Sequence, residues 1–131
     1  MELQKILVVE DNPVNMELVV AVLEGEGHTV IQALNAEQGI SAARAHSPSL
    51  ILMDIGLPGM DGLRATEILK GDPQTRDTVI VALTAYAMNG DEQKALAAGC
   101  QGYISKPIEI GGFLIEVARY IESGTKLDQA A

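Results

Sequence analysis

Tryptophan is absent, phenylalanine occurs once and tyrosine three times in the 131 residues. Aromatic residues make up 3% of the chain, which leaves little to stack on a flavin or a similar flat cofactor. Cys100 is the single cysteine. No internal disulfide can form, which fits a reducing compartment. Its plain reading is a small buried hydrophobe. Basic side chains are scarce: Lys and Arg number 9 against 18 Asp and Glu, for a net charge of -9 and a pI near 4.5. That argues against binding nucleic acid or an anionic membrane surface, both of which want a basic patch. It suits a cation site or a basic partner. No apolar run approaches the ~18 residues of a membrane-spanning helix, and no signal-peptide pattern opens the chain, so a cytoplasmic protein is expected.

Hydrophobic residues account for 47% and charged ones for 21%, the balance of an ordinary folded domain with one core. Short apolar runs alternate with helical patterns along the whole chain. Ile6–Val9 reads as a strand ending in Glu10-Asp11, and Pro13–Glu24 as a helix with Met16, Val19, Val20 and Leu23 on one stripe. His28–Ala33 is a second strand, and Asn35 caps a helix to about Ala45. Leu50–Met53 is a third strand, apolar throughout and therefore buried on both faces. It runs into Asp54 and a loop rich in glycine and proline, with Asp61 as the cap of a helix from Leu63 to Lys70. Thr78–Leu83 is a fourth strand, running into Thr84. Met88–Ala98 reads as a helix weakened by Gly90 within it. Tyr103-Ile104 is a short fifth strand, Lys106-Pro107 follows, and Ile110–Glu122 is the last helix. Ser123–Ala131 has little to bury and is expected to fray.

Strand–helix alternation implies right-handed crossovers and a parallel sheet. Five such units predict an α/β, doubly wound, flavodoxin-like fold with helices on both faces and strand order 2-1-3-4-5. Its crevice opens between the ends of strands one and three, which carry Glu10, Asp11 and Asp54. Three carboxylates there are unfavourable without a cation. An all-oxygen site of few ligands suits Mg²⁺, with the backbone carbonyl of Gly56 as a further candidate ligand. Lys106 adds one positive charge at the end of strand five, and Thr84 a hydroxyl at the end of strand four. The charges sum to zero, so the site can take a phosphoryl group, with Asp54 as its acceptor. Each residue has a plainer reading: Glu10 and Asp11 favour a helix N-terminus, Asp54 orders its own loop, Thr84 caps a helix, and Lys106 is solvated. His28 and His46 read as surface or helix-end groups rather than metal ligands. Position on one edge of one sheet favours the joint functional reading.

VVEDN at 8–12, LILMDIGLPGMDG at 50–62, ALTA at 82–85 and YISKPI at 103–108 together resemble the response-regulator receiver domains, the CheY-like family of two-component signalling. The resemblance covers roughly residues 4–122. It implies that Glu10 and Asp11 hold Mg²⁺ and that Asp54 accepts phosphate from a histidine kinase or a histidine phosphotransfer protein. It implies Thr84 as the switch hydroxyl, Lys106 as the phosphoryl-oxygen contact, Tyr103 as the aromatic switch and a cis peptide at Pro107. The sequences EDNPVN and LTAYAM are most like the single-domain DivK-type regulators. Gly56 departs from the pattern, which is often larger and polar there, and bears on the lifetime of an acyl phosphate.

The expectation is a receiver domain over 1–122 and a short tail over 123–131, with no output domain. It is expected to be a monomer that catalyses only its own phosphorylation and dephosphorylation and is otherwise not an enzyme. Output is expected through the face of the 88–98 helix, strand five and the last helix. The donor is expected over the 13–24 helix and Pro107-Ile108. A haloacid-dehalogenase-like phosphatase would want a second Asp where Gly56 stands. An FMN protein would not place Glu10-Asp11 in its phosphate loop. A phosphate sink and a phosphorylation-independent binding module are the remaining alternatives.

Overall fold

Leu7, Val9, Ile51, Met53, Ile80 and Ala82 lie in one buried cluster, and Ile6, Val8, Leu50, Leu52, Val79 and Val81 lie in another. This odd–even sorting is the signature of strands buried on both sides. The structure, a computed structural model, describes residues 4–55, 61–84, 90–106 and 108–130, with backbone alone for 91, 92 and 123–130. The elements are β1 (Lys5–Val9), α1 (Pro13–Gly25), β2 (Thr29–Ala33), α2 (Ala36–His46), β3 (Leu50–Asp54), α3 (Gly62–Gly71), β4 (Val79–Thr84), α4 (Asp91–Ala98), β5 (Gly102–Ser105) and α5 (Ile110–Ala130). The five strands form one parallel sheet in the order β2-β1-β3-β4-β5, as the alternation predicts.

One face of the sheet is covered by α1 and α5 through Met16, Val19, Leu23, Phe113, Val117 and Ile121. The other is covered by α2, α3 and α4 through Ala36, Ile40, Ala43, Ala65, Leu69 and Ala95. Caps fix where the helices start. The Asn12 side chain accepts from the N–H groups of Val14 and Asn15, and Pro13 follows at the first helical position. Asn35 and Asp61 cap α2 and α3 in the same manner.

Three expectations need correction. Gly90 is not inside a helix: α4 begins at Asp91, and Gly90 caps it with φ 78, a left-handed conformation that glycine adopts without strain. Met88 and Asn89, placed in that helix from sequence, lie outside the described residues. The last helix does not end at Glu122 but continues to Ala130. Extending an existing helix adds a hydrogen bond for each residue ordered, and residues 123–130 contain no proline to stop it, while Gly124 within them costs only about 1 kcal/mol. His28 is not a surface group. It is 4% exposed, because the turn at Gly27 (φ 94) folds it inward, and its Nδ1 accepts from the N–H of Gln4 at 3.0 Å. His46 is exposed at the end of α2, as expected. Cys100 is buried, and burial pushes its thiol pKa up.

Candidate functional site

Parallel pairing brings the strand ends to one edge of the sheet. Val9 pairs with Met53, Asp54 with Leu83, and Thr84 with Ser105. Glu10 follows β1 directly, and its N–H donates to the Ala33 carbonyl of β2 at 3.0 Å, which fixes the chain as it leaves the sheet. The Lys106 N–H donates to the Thr84 carbonyl at 2.7 Å, which ties the end of β5 to the end of β4.

Glu10, Asp11 and Asp54 therefore converge: one carboxylate oxygen from each lies within 4.8 Å of the others. Glu10 is fully buried, Asp54 is nearly so, and Asp11 is exposed at the mouth. Lys106 spans the buried pair, with its Nζ donating to Glu10 Oε1 at 2.9 Å and to Asp54 Oδ2 at 3.2 Å. Thr84 is 0% exposed, and its Oγ1 has no hydrogen-bond partner among the described residues. Buried hydroxyls are normally hydrogen-bonded, so this one is free to donate to a group held at the strand ends.

The electrostatics carry the same message. Burial above all, and then a hydrogen bond shared with Asp54, push the Glu10 carboxyl up to about 7 against the pull of Lys106. Burial lowers the Lys106 pKa, but the bonds and charges of Glu10 and Asp54 outweigh it and hold the ammonium above the ordinary lysine value. Three carboxylates and one ammonium leave an excess of negative charge in a partly desolvated crevice. Glu10 Oε2 is buried without a partner among the described residues. Hard oxygen donors, excess negative charge and an orphaned carboxylate oxygen fit a small divalent cation such as Mg²⁺.

Tyr103 is half-buried on β5 against the core beneath α2, α3 and α4. Its carbonyl accepts a long hydrogen bond from the Tyr120 hydroxyl at 3.5 Å. The Gly56 carbonyl and the Pro107 peptide lie outside the described residues. Sequence reasoning placed Lys106 at the right strand end but missed its bond to Glu10, which spans 96 positions and leaves no local pattern. It also missed Thr66, a buried hydroxyl on α3 that donates to the Gly62 carbonyl at 2.8 Å and lies 3.7 Å from Cys100 Sγ.

A doubly wound sheet with an acidic pair after β1, an Asp ending β3, a Thr ending β4 and a Lys after β5 defines a class. This chain belongs to the response regulator receiver domain family, whose model matches residues 6–118. It is therefore a component of two-component signalling. Among individual proteins, it is similar to the polar-differentiation response regulator DivK of Brucella anthropi, with 41% identity over 118 residues that span 90% of this chain and 96% of that one. The DivK of Brucella ovis is 40% identical over the same shares. Among solved structures, the receiver domain of a sensor histidine kinase from Pseudomonas aeruginosa matches with a TM-score of 0.85 and 36% identity, covering 92% of this chain and 99% of that one. That crystal structure has a magnesium ion coordinated in its active-site cleft. A CheY-like receiver protein of Methanospirillum hungatei matches with a TM-score of 0.87 and 27% identity, over 95% of this chain and 98% of that one. Among the described residues, no helix is long and apolar enough to cross a membrane.

Proposed function

We propose that Asp54 is a phosphoryl acceptor, charged by a phosphohistidine on a kinase or phosphotransfer protein, and that the phosphorylated chain signals through protein contact. The observation that carries this reading is the convergence of Lys106 on Asp54 and Glu10, beside the orphaned hydroxyl of Thr84. In the transfer, an Asp54 carboxylate oxygen forms a bond to phosphorus as the bond from phosphorus to the donor nitrogen breaks. The product is an acyl phosphate. Lys106 offsets the charge gathering on the phosphoryl oxygens, and Thr84 donates to one of them. Glu10, Asp11 and Asp54 would hold Mg²⁺, with the Gly56 carbonyl as a further ligand, and the ion when bound supplies charge neutralisation at the phosphoryl oxygens. The chain performs only its own phosphorylation and dephosphorylation and turns over no separate substrate.

Phosphorylation adds roughly 1.5 to 2 negative charges and three strong acceptors. Because the Thr84 carbonyl holds the Lys106 N–H, a shift of Thr84 toward a phosphoryl group also moves the end of β5. Tyr103 responds on the same strand, and the face of α4, β5 and α5 is the output surface. Ligation biases an existing equilibrium between two arrangements rather than creating a new one.

Incubation with Mg²⁺ and acetyl phosphate, followed by intact mass measurement, tests the reading. The expected gain is about 80 Da, one phosphoryl group, and it disappears in Asp54→Asn and with EDTA. A gain that survives in Asp54→Asn would overturn the assignment. Thr84→Ala is expected to accept phosphate yet fail to shift the Tyr103 resonances on phosphorylation. An unchanged Tyr103 response in that variant would remove Thr84 from the switch.

A further inference from the structure

Gly62 opens α3, and the fold leaves no room for a side chain there. A Cβ on Gly62 would press into the carbonyl oxygen of Asp54 and lie 2.8 Å from Ile55 Cα and 2.9 Å from the Asp54 carbonyl carbon. All three are backbone atoms, which cannot swing aside as the end of a side chain can. Conformational freedom is not the reason for glycine here, since its φ is not among the positive ones. The reason is contact: the first turn of α3 rests directly on the peptide of the acceptor residue.

Two bonds hold that first turn in place. Asp61 Oδ1 accepts from the Arg64 N–H at 2.8 Å, and the fully buried Thr66 donates its hydroxyl to the Gly62 carbonyl at 2.8 Å. Asp54 ends β3, so one side of its peptide is held by the sheet and the other meets α3.

We propose that Gly62, braced by Thr66, is a positioning residue for Asp54: the helix start acts as a stop that sets the Asp54 peptide and hence the aim of its carboxylate. This inference rests on the reading of Asp54 as phosphoryl acceptor and adds a residue that touches neither donor nor ion. The Asp54 carboxylate meets Lys106 Nζ at 3.2 Å, and reacting groups misplaced by ~1 Å lose on the order of 100-fold in rate. A methyl group at position 62 forces a shift of that kind, because the atom it meets is the Asp54 carbonyl itself.

The test uses the full chain as wild type, Gly62→Ala, Thr66→Val, Thr66→Ser and Gly71→Ala. Gly71 ends the same helix and has nothing within 4 Å of a built Cβ, so its variant controls for adding a methyl to α3. Amide NMR spectra report folding, an Mg²⁺ titration of the same spectra reports carboxylate alignment, and intact mass after timed exposure to acetyl phosphate reports the rate. Gly62→Ala is expected to be about 10- to 100-fold slower and to need more Mg²⁺, while Gly71→Ala matches the wild type. Thr66→Val is expected to slow about threefold, and Thr66→Ser, which keeps the hydroxyl, to recover. A folded Gly62→Ala with wild-type rate and Mg²⁺ response overturns the proposal. If Gly62→Ala does not fold, the Thr66 pair decides: slowing in Val with recovery in Ser supports it, and wild-type behaviour in both overturns it. If the wild type itself takes no phosphoryl group, the acceptor reading fails, and the Mg²⁺ titrations alone decide whether Gly62 sets the carboxylate.

Discussion

The two faces of the sheet are packed by different means. Beneath α1 and α5, the helices contribute Met16, Val19, Leu23, Phe113, Val117 and Ile121, side chains that fill volume. Beneath α2, α3 and α4, four of the six buried hydrophobic side chains that these helices give to the core are alanines: Ala36, Ala43, Ala65 and Ala95. Small residues let backbones approach. A Cβ on Gly39 of α2 would meet Val9 Cγ2 at 2.8 Å, and one on Gly62 of α3 would meet the backbone of Asp54. The face held by close approach is thus the one whose helix start meets the acceptor's own peptide. It also carries α4, whose left-handed Gly90 cap makes no side-chain hydrogen bond and which exposes Leu96. One face anchors the sheet, and the other meets the site at short range, where a small displacement is felt.

The largest effect that would sharpen this comparison is expected from Phe113→Ala. Truncating the one phenylalanine of the chain, buried on the volume-filled face, should cost about 3–5 kcal/mol in chemical denaturation. The reverse change belongs to the opposite face. Ala65→Leu should destabilise by about 1–3 kcal/mol through overpacking, although it adds apolar surface. If Ala65→Leu is neutral or stabilising, that face has spare room and the contrast breaks.

Smaller effects come from the two buried titratable groups that lie on opposite edges of the sheet. Without divalent metal, folded protein binds the Glu10 proton more tightly than the unfolded chain, since the carboxyl stands at about 7 rather than 4.5. The unfolded state then carries fewer protons between those values, so stability falls as pH rises through that window. The loss attributable to Glu10 is expected to be on the order of 1 kcal/mol, to vanish in Glu10→Gln and to reverse on adding Mg²⁺. His28 has the opposite sign. Burial lowers its pKa below 6.5, so stability is present above that pH and is lost as pH falls beneath it. Protonation would place a donor on Nδ1 facing the Gln4 N–H donor. His28→Asn keeps an acceptor and should flatten the acid limb of the thermal-stability curve. An unchanged acid limb would show that His28 does not govern it.

Much of this was legible in the residues themselves. The strands announce themselves as apolar runs, because a doubly covered parallel sheet has no polar face to interrupt them. The site's members were legible because a charged or hydroxyl residue at the end of such a run has only one edge to occupy. What escaped has a common cause. The Lys106–Glu10 bond, the burial of His28 and the contact of Gly62 with Asp54 each join positions without any periodic relation. The helical course of residues 123–130 escaped for another reason: a stretch with no stripe to bury can still extend a helix already nucleated.

By itself, then, the sequence determined the order of elements, the two-sided burial of the sheet and the chemical types gathered at its carboxyl edge, since all three follow from local pattern and chain direction. Only the tertiary structure decided how those groups meet. It set one ammonium between two carboxylates, left a threonine hydroxyl buried without a partner among the described residues, and seated a bare helix start against the acceptor's peptide. Distances between side chains far apart in the chain depend on how closely helices approach the sheet, and that approach is settled by packing across the whole core.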